Sequence, residues 1–189
     1  MKKKYEIRNT KYETQKGFTV LESIVAIMIL SLGVSGAFSA IQQSLSQSII
    51  AKDEDKAFYL AQEAIEIIRN KRDNNQLAII GGGTNNWLSG IAGVAGVPCY
   101  FGKTCRADAT GPSSIYLYSC SGGWDSCSYL SQNQTTYIYA YSGTVSNFRR
   151  EIQIESVNVN EIMVTVRVSW KKGLINKEFK IKTHLFNWI

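Results

Sequence analysis

A single acidic residue near the start of a long apolar span is the feature that most constrains this chain. Glu22 is the only charged residue between Lys16 and Lys52. The 24 residues of 18–41, as a helix rising about 1.5 Å per residue, extend roughly 36 Å, enough to cross a hydrocarbon layer of about 30 Å. The apolar side chains of this span outweigh the cost of about 3 kcal/mol for one carboxylate. We therefore predict a membrane-spanning helix with Glu22 near its cytoplasmic end.

The charge distribution predicts how this helix is oriented. Residues 1–17 hold six basic and two acidic side chains, which account for +4 of the net charge of +6 in a chain of 189 residues. The positive-inside rule places this basic segment in the cytoplasm and everything beyond about Ala51 outside. The remaining charge is spread over a long head. A bulk nucleic-acid surface is therefore not supported, although a local basic patch stays open.

The residues around Gly17 carry a resemblance to a known family. Residues 16–22 read KGFTVLE and combine a basic leader, a glycine, a phenylalanine and an acid four residues later, all ahead of a long apolar helix. This combination resembles the prepilin processing site of type IV pilins and type II secretion pseudopilins. The resemblance implies that a prepilin peptidase removes residues 1–17 by cutting between Gly17 and Phe18. It also implies methylation of the new amino group, so that the mature chain begins with N-methylphenylalanine at Phe18.

A secretory signal peptide and a plain signal anchor also begin with a basic segment and an apolar span. A secretory signal peptide places small residues after its apolar region, whereas here the conspicuous small residue, Gly17, comes before it. A plain signal anchor fits the same hydropathy and stays open.

Glu22 has two candidate partners. Within one chain, Phe18 lies four residues before Glu22 on the same helix face, and the first turn also offers the positive end of the helix dipole. In a filament, the carboxylate would instead meet the Phe18 ammonium of a neighbouring subunit in a medium of low dielectric constant. The residues alone do not decide between the two, whereas the family resemblance implies the second. It also implies other pilins or pseudopilins, and an inner-membrane assembly platform, as partners.

The helical pattern continues beyond the apolar span. Apolar residues recur at helical spacing through Ala57, Leu60, Ala61, Ala64, Ile65 and Ile68. We predict one helix of roughly 50 residues that Asp73-Asn74-Asn75 ends after Arg72. Residues 18–51 would form its membrane and assembly half, and residues 52–72 would pack on an exported head comprising residues 52–189. Residues 60–70 also resemble the stem of PilV-like minor pilins.

Residues 78–134 have the Gly, Ser and Asn content of an irregular insertion, and they contain all four cysteines. In an exported head we expect disulfides. Four cysteines allow three connectivities, and the local one, Cys99 with Cys105 and Cys120 with Cys127, needs the least chain closure. A zinc site is the alternative, but the spacings are wider than the usual pair of ligands two to four residues apart. We predict no metal and no other cofactor.

Residues 137–186 predict an antiparallel sheet. Four segments have strand composition, namely Tyr137–Tyr141, Phe148–Val157, Glu161–Trp170 and Leu174–Phe186. Turns are expected at 157–161 and at 171–173, and the stem helix would cover the apolar face. The predicted fold class is therefore α+β, with a long N-terminal helix packed on a C-terminal antiparallel sheet and a cysteine-containing insertion.

The sequence does not predict an enzyme. Its single histidine, His184, lies in a polar row with lysines, and no acid, base and nucleophile group is evident from spacing. We predict a filament subunit, favouring a minor pilin or minor pseudopilin. It would be a single-pass protein of the cytoplasmic membrane that moves into an extracellular or periplasmic filament. The alternative is a signal-anchored extracytoplasmic binding or adhesion protein that does not polymerise.

Overall fold

The computed structural model describes residues 17–93, 96–108, 110 and 116–188. Contacts divide the chain into two compact units, residues 1–49 and residues 50–189. The helix α1, Val20–Ile80, begins in the first unit and ends in the second. Residues 1–16 of the leader and residues 111–115 of the insertion lie outside the described residues.

Helix α1 is 61 residues long and ends eight residues later than the sequence predicted. The predicted stop at Asp73-Asn74-Asn75 is wrong, because these polar side chains find partners that leave the helix intact. The Arg72 Nε pairs with the Asp73 carboxylate at 2.6 Å, and the Asn74 amide donates to the Asn70 Oδ1 at 2.9 Å. The Asn75 amide is buried and donates to the backbone carbonyls at 87 and 89.

The helix ends instead at a glycine run. Gly82 has a φ of 90°, which an L side chain rarely adopts, and its amide donates to the Ile79 carbonyl at 2.9 Å. The Gly83 amide donates to the Ala78 carbonyl, also at 2.9 Å. These two bonds form a Schellman motif, which satisfies the last carbonyls of a helix. Residues 81–83 are therefore the helix stop.

The described part of the chain contains eight strands, namely β1 Thr104–Asp108, β2 Tyr116–Ser119, β3 Ser131–Gln132, β4 Tyr139–Ala140, β5 Thr144–Val145, β6 Phe148–Asn158, β7 Glu161–Lys172 and β8 Ile175–Phe186. Five of them form the main antiparallel sheet in the order β2-β1-β6-β7-β8, and the other three form a second sheet in the order β4-β3-β5. The predicted α+β class, with an apolar helix packed on antiparallel strands, is confirmed.

Two predictions for this part of the chain are wrong, one about which sheet a segment joins and one about where a turn lies. The segment Tyr137–Tyr141 does not extend the main sheet, because its short strand β4 pairs with β3 in the second sheet. Lys171 and Lys172 belong to β7, opposite Asn176 and Ile175, so the turn to β8 consists of Gly173 and Leu174 alone. The insertion also supplies β1, which pairs with β6 inside the main sheet.

The core of the second unit lies between the helix and one face of the main sheet. All six residues of the predicted helical stripe are buried, and so are alternate residues of β7. The buried β7 residues are Ile162, Val164, Val166, Val168 and Trp170. The opposite face of the sheet carries charged side chains, and the segment closed by Cys120 and Cys127 contacts it.

Candidate processing and assembly site

The helix begins two residues after Phe18, at a local cap. The Thr19 Oγ1 accepts a hydrogen bond from the Glu22 backbone N–H at 3.2 Å, and the Thr19 carbonyl accepts from the Ser23 N–H at 3.1 Å. Threonine is a preferred N-cap, and an acid three residues later completes the sequence of a capping box. Thr19 is not among the residues predicted from the sequence, although its spacing from Glu22 signals the cap.

The Glu22 carboxylate sits in the first turn of the helix, where the macrodipole favours negative charge. Within residues 17–93, 96–108, 110 and 116–188, no side chain forms an ion pair or a hydrogen bond with this carboxylate. Phe18 is 76% exposed. The structure therefore places Phe18 and Glu22 at one helix terminus and leaves both accessible.

Gly17 is the first residue of the chain that the structure describes. A Cβ built on Gly17 would meet no described atom within 4 Å. No close contact with the described residues therefore requires a glycine at this position.

The helix surface from Val20 to Ile49 is exposed, and as far as Ile41 it is apolar apart from Glu22 and a few hydroxyls. One segment of α1 is long and apolar enough to cross a membrane, by length and composition, and none of it is buried in this chain. Two hydroxyls within it bond to the helix backbone, since Ser31 Oγ donates to the Ile27 carbonyl and Ser35 Oγ to the Ser31 carbonyl, both at 2.7 Å. Such back-bonding lets serine reside in an apolar medium at low cost.

Comparison with known families identifies the kind of segment that begins the chain. Residues 14–38 match the family model of the prokaryotic N-terminal methylation motif. The match begins in the basic leader and covers Gly17, Phe18 and Glu22. It indicates a protein of the type IV pilin-like, prepilin-processed kind. No curated protein and no solved structure matches the chain.

The four cysteines form two disulfides, Cys99–Cys105 and Cys120–Cys127. This is the local connectivity that the sequence favoured. Cys99 and Cys105 are fully buried, and Cys105 lies on the core face of β1. Because each cysteine sulfur is bonded to the sulfur of its disulfide partner, the four cysteines do not form the zinc site that was the alternative. Among the described residues no other group of potential ligands is arranged to hold a metal ion.

A buried carboxylate anchors the Cys120–Cys127 segment to the sheet. Glu151 of β6 is fully buried and accepts hydrogen bonds from the backbone N–H groups of Asp125 and Cys127, both at 3.1 Å. The guanidinium of Arg167, its cross-strand partner on β7, donates to the same carboxylate at 2.6 Å. The Asp125 carboxylate in turn pairs with Arg167 at 2.9 Å and with Arg149 at 3.0 Å.

These contacts explain the pKa of Asp125. The hydrogen bond from Arg167 holds the pKa of the Asp125 carboxyl below its usual value, and the positive charge of Arg149 acts in the same direction, whereas burial acts against both. The group is therefore an anion at neutral pH. Glu151 and Asp125 together fix the loop between the two cysteines.

Beneath the sheet, Arg150 ties the helix to two strands. Its guanidinium is almost fully buried, and it donates to the carbonyl of Leu60 at 3.2 Å and to the carbonyl of Ala107 at 2.9 Å. It also pairs with the Glu63 carboxylate. Sequence periodicity would place this arginine on the apolar face of β6 and so flag it as unusual, but gives no sign of its partners.

Proposed function

We propose that the protein is a subunit of a type IV pilus-like filament, with the role of a minor pilin or minor pseudopilin. The observation that carries the proposal is the coincidence of the N-terminal methylation motif at residues 14–38 with the start of an apolar, exposed helix. Pilin-like proteins with this motif are structural subunits, so we do not propose a catalytic role.

Processing creates the cation that Glu22 lacks in the precursor. Hydrolysis of the bond between Gly17 and Phe18 releases residues 1–17 and leaves an α-amino group on Phe18, with a pKa near 8. Methylation leaves one positive charge on this nitrogen. No close contact with the described residues requires a glycine at position 17. A glycine there would suit the peptidase, because a backbone without a side chain can approach catalytic carboxylates closely.

Assembly would then pair the Glu22 carboxylate with the Phe18 ammonium of a neighbouring subunit. A carboxylate in hydrocarbon costs about 3 kcal/mol, and Glu22 has no partner among the described residues of its own chain. A cation brought by the next subunit relieves that cost in a medium where charges interact strongly. The exposed apolar surface of residues 20–41 would pack against the same surface of other subunits.

The proposed location follows from the same features. The basic leader would keep residues 1–17 in the cytoplasm, and residues 52–189 would face the oxidising side, where two disulfides are stable. Prepilin peptidase and the inner-membrane assembly platform would be the first partners. The preference for a minor subunit rests on the cysteine-containing insertion and on the PilV-like stem.

Mass spectrometry of the N-terminal peptide tests the proposal. The protein is expressed in a host with a prepilin peptidase and, in parallel, in the same host without it. We expect a chain that begins at Phe18 with one added methyl group in the first host, and an intact Met1 start in the second. An intact start in both hosts would favour the signal-anchored protein that does not polymerise. Comparison of sheared filaments with the membrane fraction then separates an abundant subunit from a scarce one.

A further inference from the structure

Strand β8 presents a long free edge. It pairs with β7 over its whole length, from Ile175 opposite Lys172 to Phe186 opposite Glu161. No described strand pairs with its other side, since β8 ends the order of the main sheet. Alternate residues of an antiparallel edge strand direct their N–H and C=O groups away from the sheet, where they can pair with another chain.

Beside this edge, apolar side chains that pack on the core remain partly exposed. Phe179 and Ile181 of β8 are only half-buried, although they lie on the same face as the buried residues of β7. The centroid of the Phe179 ring lies 5.8 Å from the centroid of the Phe58 ring on the helix, and the neighbouring Tyr59 is 68% exposed.

A groove runs between the helix and the free edge. It has a volume of about 570 Å³. One wall is formed by the helix residues Tyr59, Gln62, Glu63, Ile65, Glu66 and Arg69, and the other by the β8 residues Ile181, Lys182 and Thr183. The two acids of the helix wall are paired within the chain, Glu63 with Arg150 and Glu66 with Arg69. A groove bounded by a helix and an edge strand is a geometry that accepts an extended peptide as one more strand.

The outer row of β8 carries charge that this chain does not neutralise. Lys180 and Lys182 are exposed, and no described carboxylate lies within ion-pair distance of either. The acid of the same row, Glu178, pairs with Arg167 at 3.6 Å. The Lys180 ammonium lies over the Trp124 ring at 5.4 Å, which holds it above the sheet beside the edge.

We propose that β8 binds an extended segment of another protein by strand addition, with acidic residues at alternate positions. The acids would lie opposite Lys180 and Lys182, where cross-strand pairs of opposite charge stabilise a sheet. The intervening apolar residues would cover Phe179, Ile181 and the groove. This site lies entirely within residues 50–189, so it does not depend on the filament function proposed above.

A second copy of this chain is a poorer occupant. Antiparallel pairing of β8 with itself over the full strand centres the two-fold axis on residue 180 or 181. The first register places Lys180 opposite itself and Lys182 opposite Glu178, and the second places Lys180 opposite Lys182. Like charges directly opposite each other destabilise a strand pair. Neither register gives both lysines an acidic partner, as a strand with alternating acids does.

The probe is a short synthetic peptide of alternating valine and glutamate, with capped ends. Binding to the full-length protein in nanodiscs is measured by fluorescence polarisation, and hydrogen exchange reports the amides of residues 175–186. We expect binding with slower exchange in β8. Methylation of alternate peptide nitrogens should abolish binding, because it removes the hydrogen bonds of strand addition while it keeps the charge and the apolar surface.

Charge reversal tests the role of the two lysines. Lys180→Glu with Lys182→Glu should weaken binding of the glutamate peptide by about tenfold, because two attractive cross-strand pairs become repulsive. The same variant should bind a peptide of alternating valine and lysine instead. The matched control, Lys52→Glu with Lys103→Glu, changes the net charge equally at exposed positions away from the edge and should leave binding unchanged.

Several results would overturn the proposal. These are no binding of the glutamate peptide, binding that survives methylation of the peptide nitrogens, and unchanged exchange in residues 175–186 when the peptide is bound. A dimer that protects β8 in the absence of peptide would show that a second copy occupies the edge instead.

Discussion

Glu151 and Arg167 face each other across β6 and β7, and their side chains meet at 2.6 Å on the charged face of the sheet. Glu151 is fully buried beneath the Cys120–Cys127 segment, whose backbone donates two further hydrogen bonds to the same carboxylate. Every oxygen of this acid therefore has a partner. The buried carboxylate holds this segment on the sheet, and the disulfide closes the segment itself.

We predict that Glu151→Gln lowers the free energy of unfolding by about 2 kcal/mol, because an amide offers one acceptor oxygen where the carboxylate accepts three hydrogen bonds. Chemical denaturation followed by tryptophan fluorescence measures the change. Glu155→Gln is the matched control, since Glu155 lies on the same strand and is exposed. It should change stability by less than about 0.5 kcal/mol. Equal losses in the two variants would contradict the assigned role of Glu151.

The second prediction concerns Asn75, which lies in the last turns of the helix. Its amide donates to the carbonyls of Trp87 at 3.0 Å and of Ser89 at 2.8 Å. We expect Asn75→Ala to cost about 1 to 3 kcal/mol of unfolding free energy, because one buried and one partly buried carbonyl lose their donor. Asn74→Ala removes only an exposed contact with Asn70 and should have little effect. A helix that ended at Arg72 would instead make both variants neutral.

The difference between the predicted and observed helix ends shows what local sequence can and cannot reveal. The stripe from Ala57 to Ile68 was predicted correctly, because a helix that covers a sheet must repeat its apolar residues every three to four positions. Asp73-Asn74-Asn75 indicates a stop by propensity. The partners of Asn75 lie in a loop more than ten residues away, so tertiary contacts override that propensity.

In the head, too, some strands could be predicted from the sequence and others could not. Alternation along β7 and β8 predicted the sheet and its two faces, because apolar residues two apart share one side of a strand. Strand β1 was missed, since its residues, Thr104–Asp108, include two charges and a cysteine and show no regular pattern. Strand β1 is held in the sheet by its pairing with β6, which is distant in sequence, and by the buried disulfide at Cys105. Neither contact leaves a regular pattern in the residues of β1 itself.

A pH dependence of stability follows from Asp125. Its pKa is lowered in the folded chain by Arg167 and Arg149, so the stabilisation is complete above the ordinary aspartate pKa of about 4 and is lost as the pH falls through the lower, folded value. The unfolding free energy should therefore fall below about pH 4. Asp125→Asn should show a smaller fall in an acid titration followed by denaturation.

The control for this titration is Asp55→Asn, because Asp55 is exposed and has no ion pair among the described residues. This variant should keep the full acid sensitivity of the parent protein. If Asp125→Asn and Asp55→Asn had the same acid profile as the parent, the link between Asp125 and the two arginines would not contribute to stability.

The last prediction concerns Glu22 and separates anchoring from assembly. Glu22→Ala removes a charge from the apolar span, so insertion into the membrane should be at least as favourable as in the parent protein. Incorporation into filaments should be lost, because the Phe18 ammonium of the neighbouring subunit has no anion to meet in the apolar medium. Three measurements decide the case in one set of cells, namely membrane fractionation, the mass of the N-terminal peptide, and the amount of subunit in sheared filaments. Ser23→Ala, at the next exposed position of the same turn, should insert, mature and assemble normally. A Glu22→Ala protein that is cut and methylated at Phe18 and still enters filaments at the parent level would refute the pairing. A variant that fails to mature would place the requirement for Glu22 at the peptidase instead.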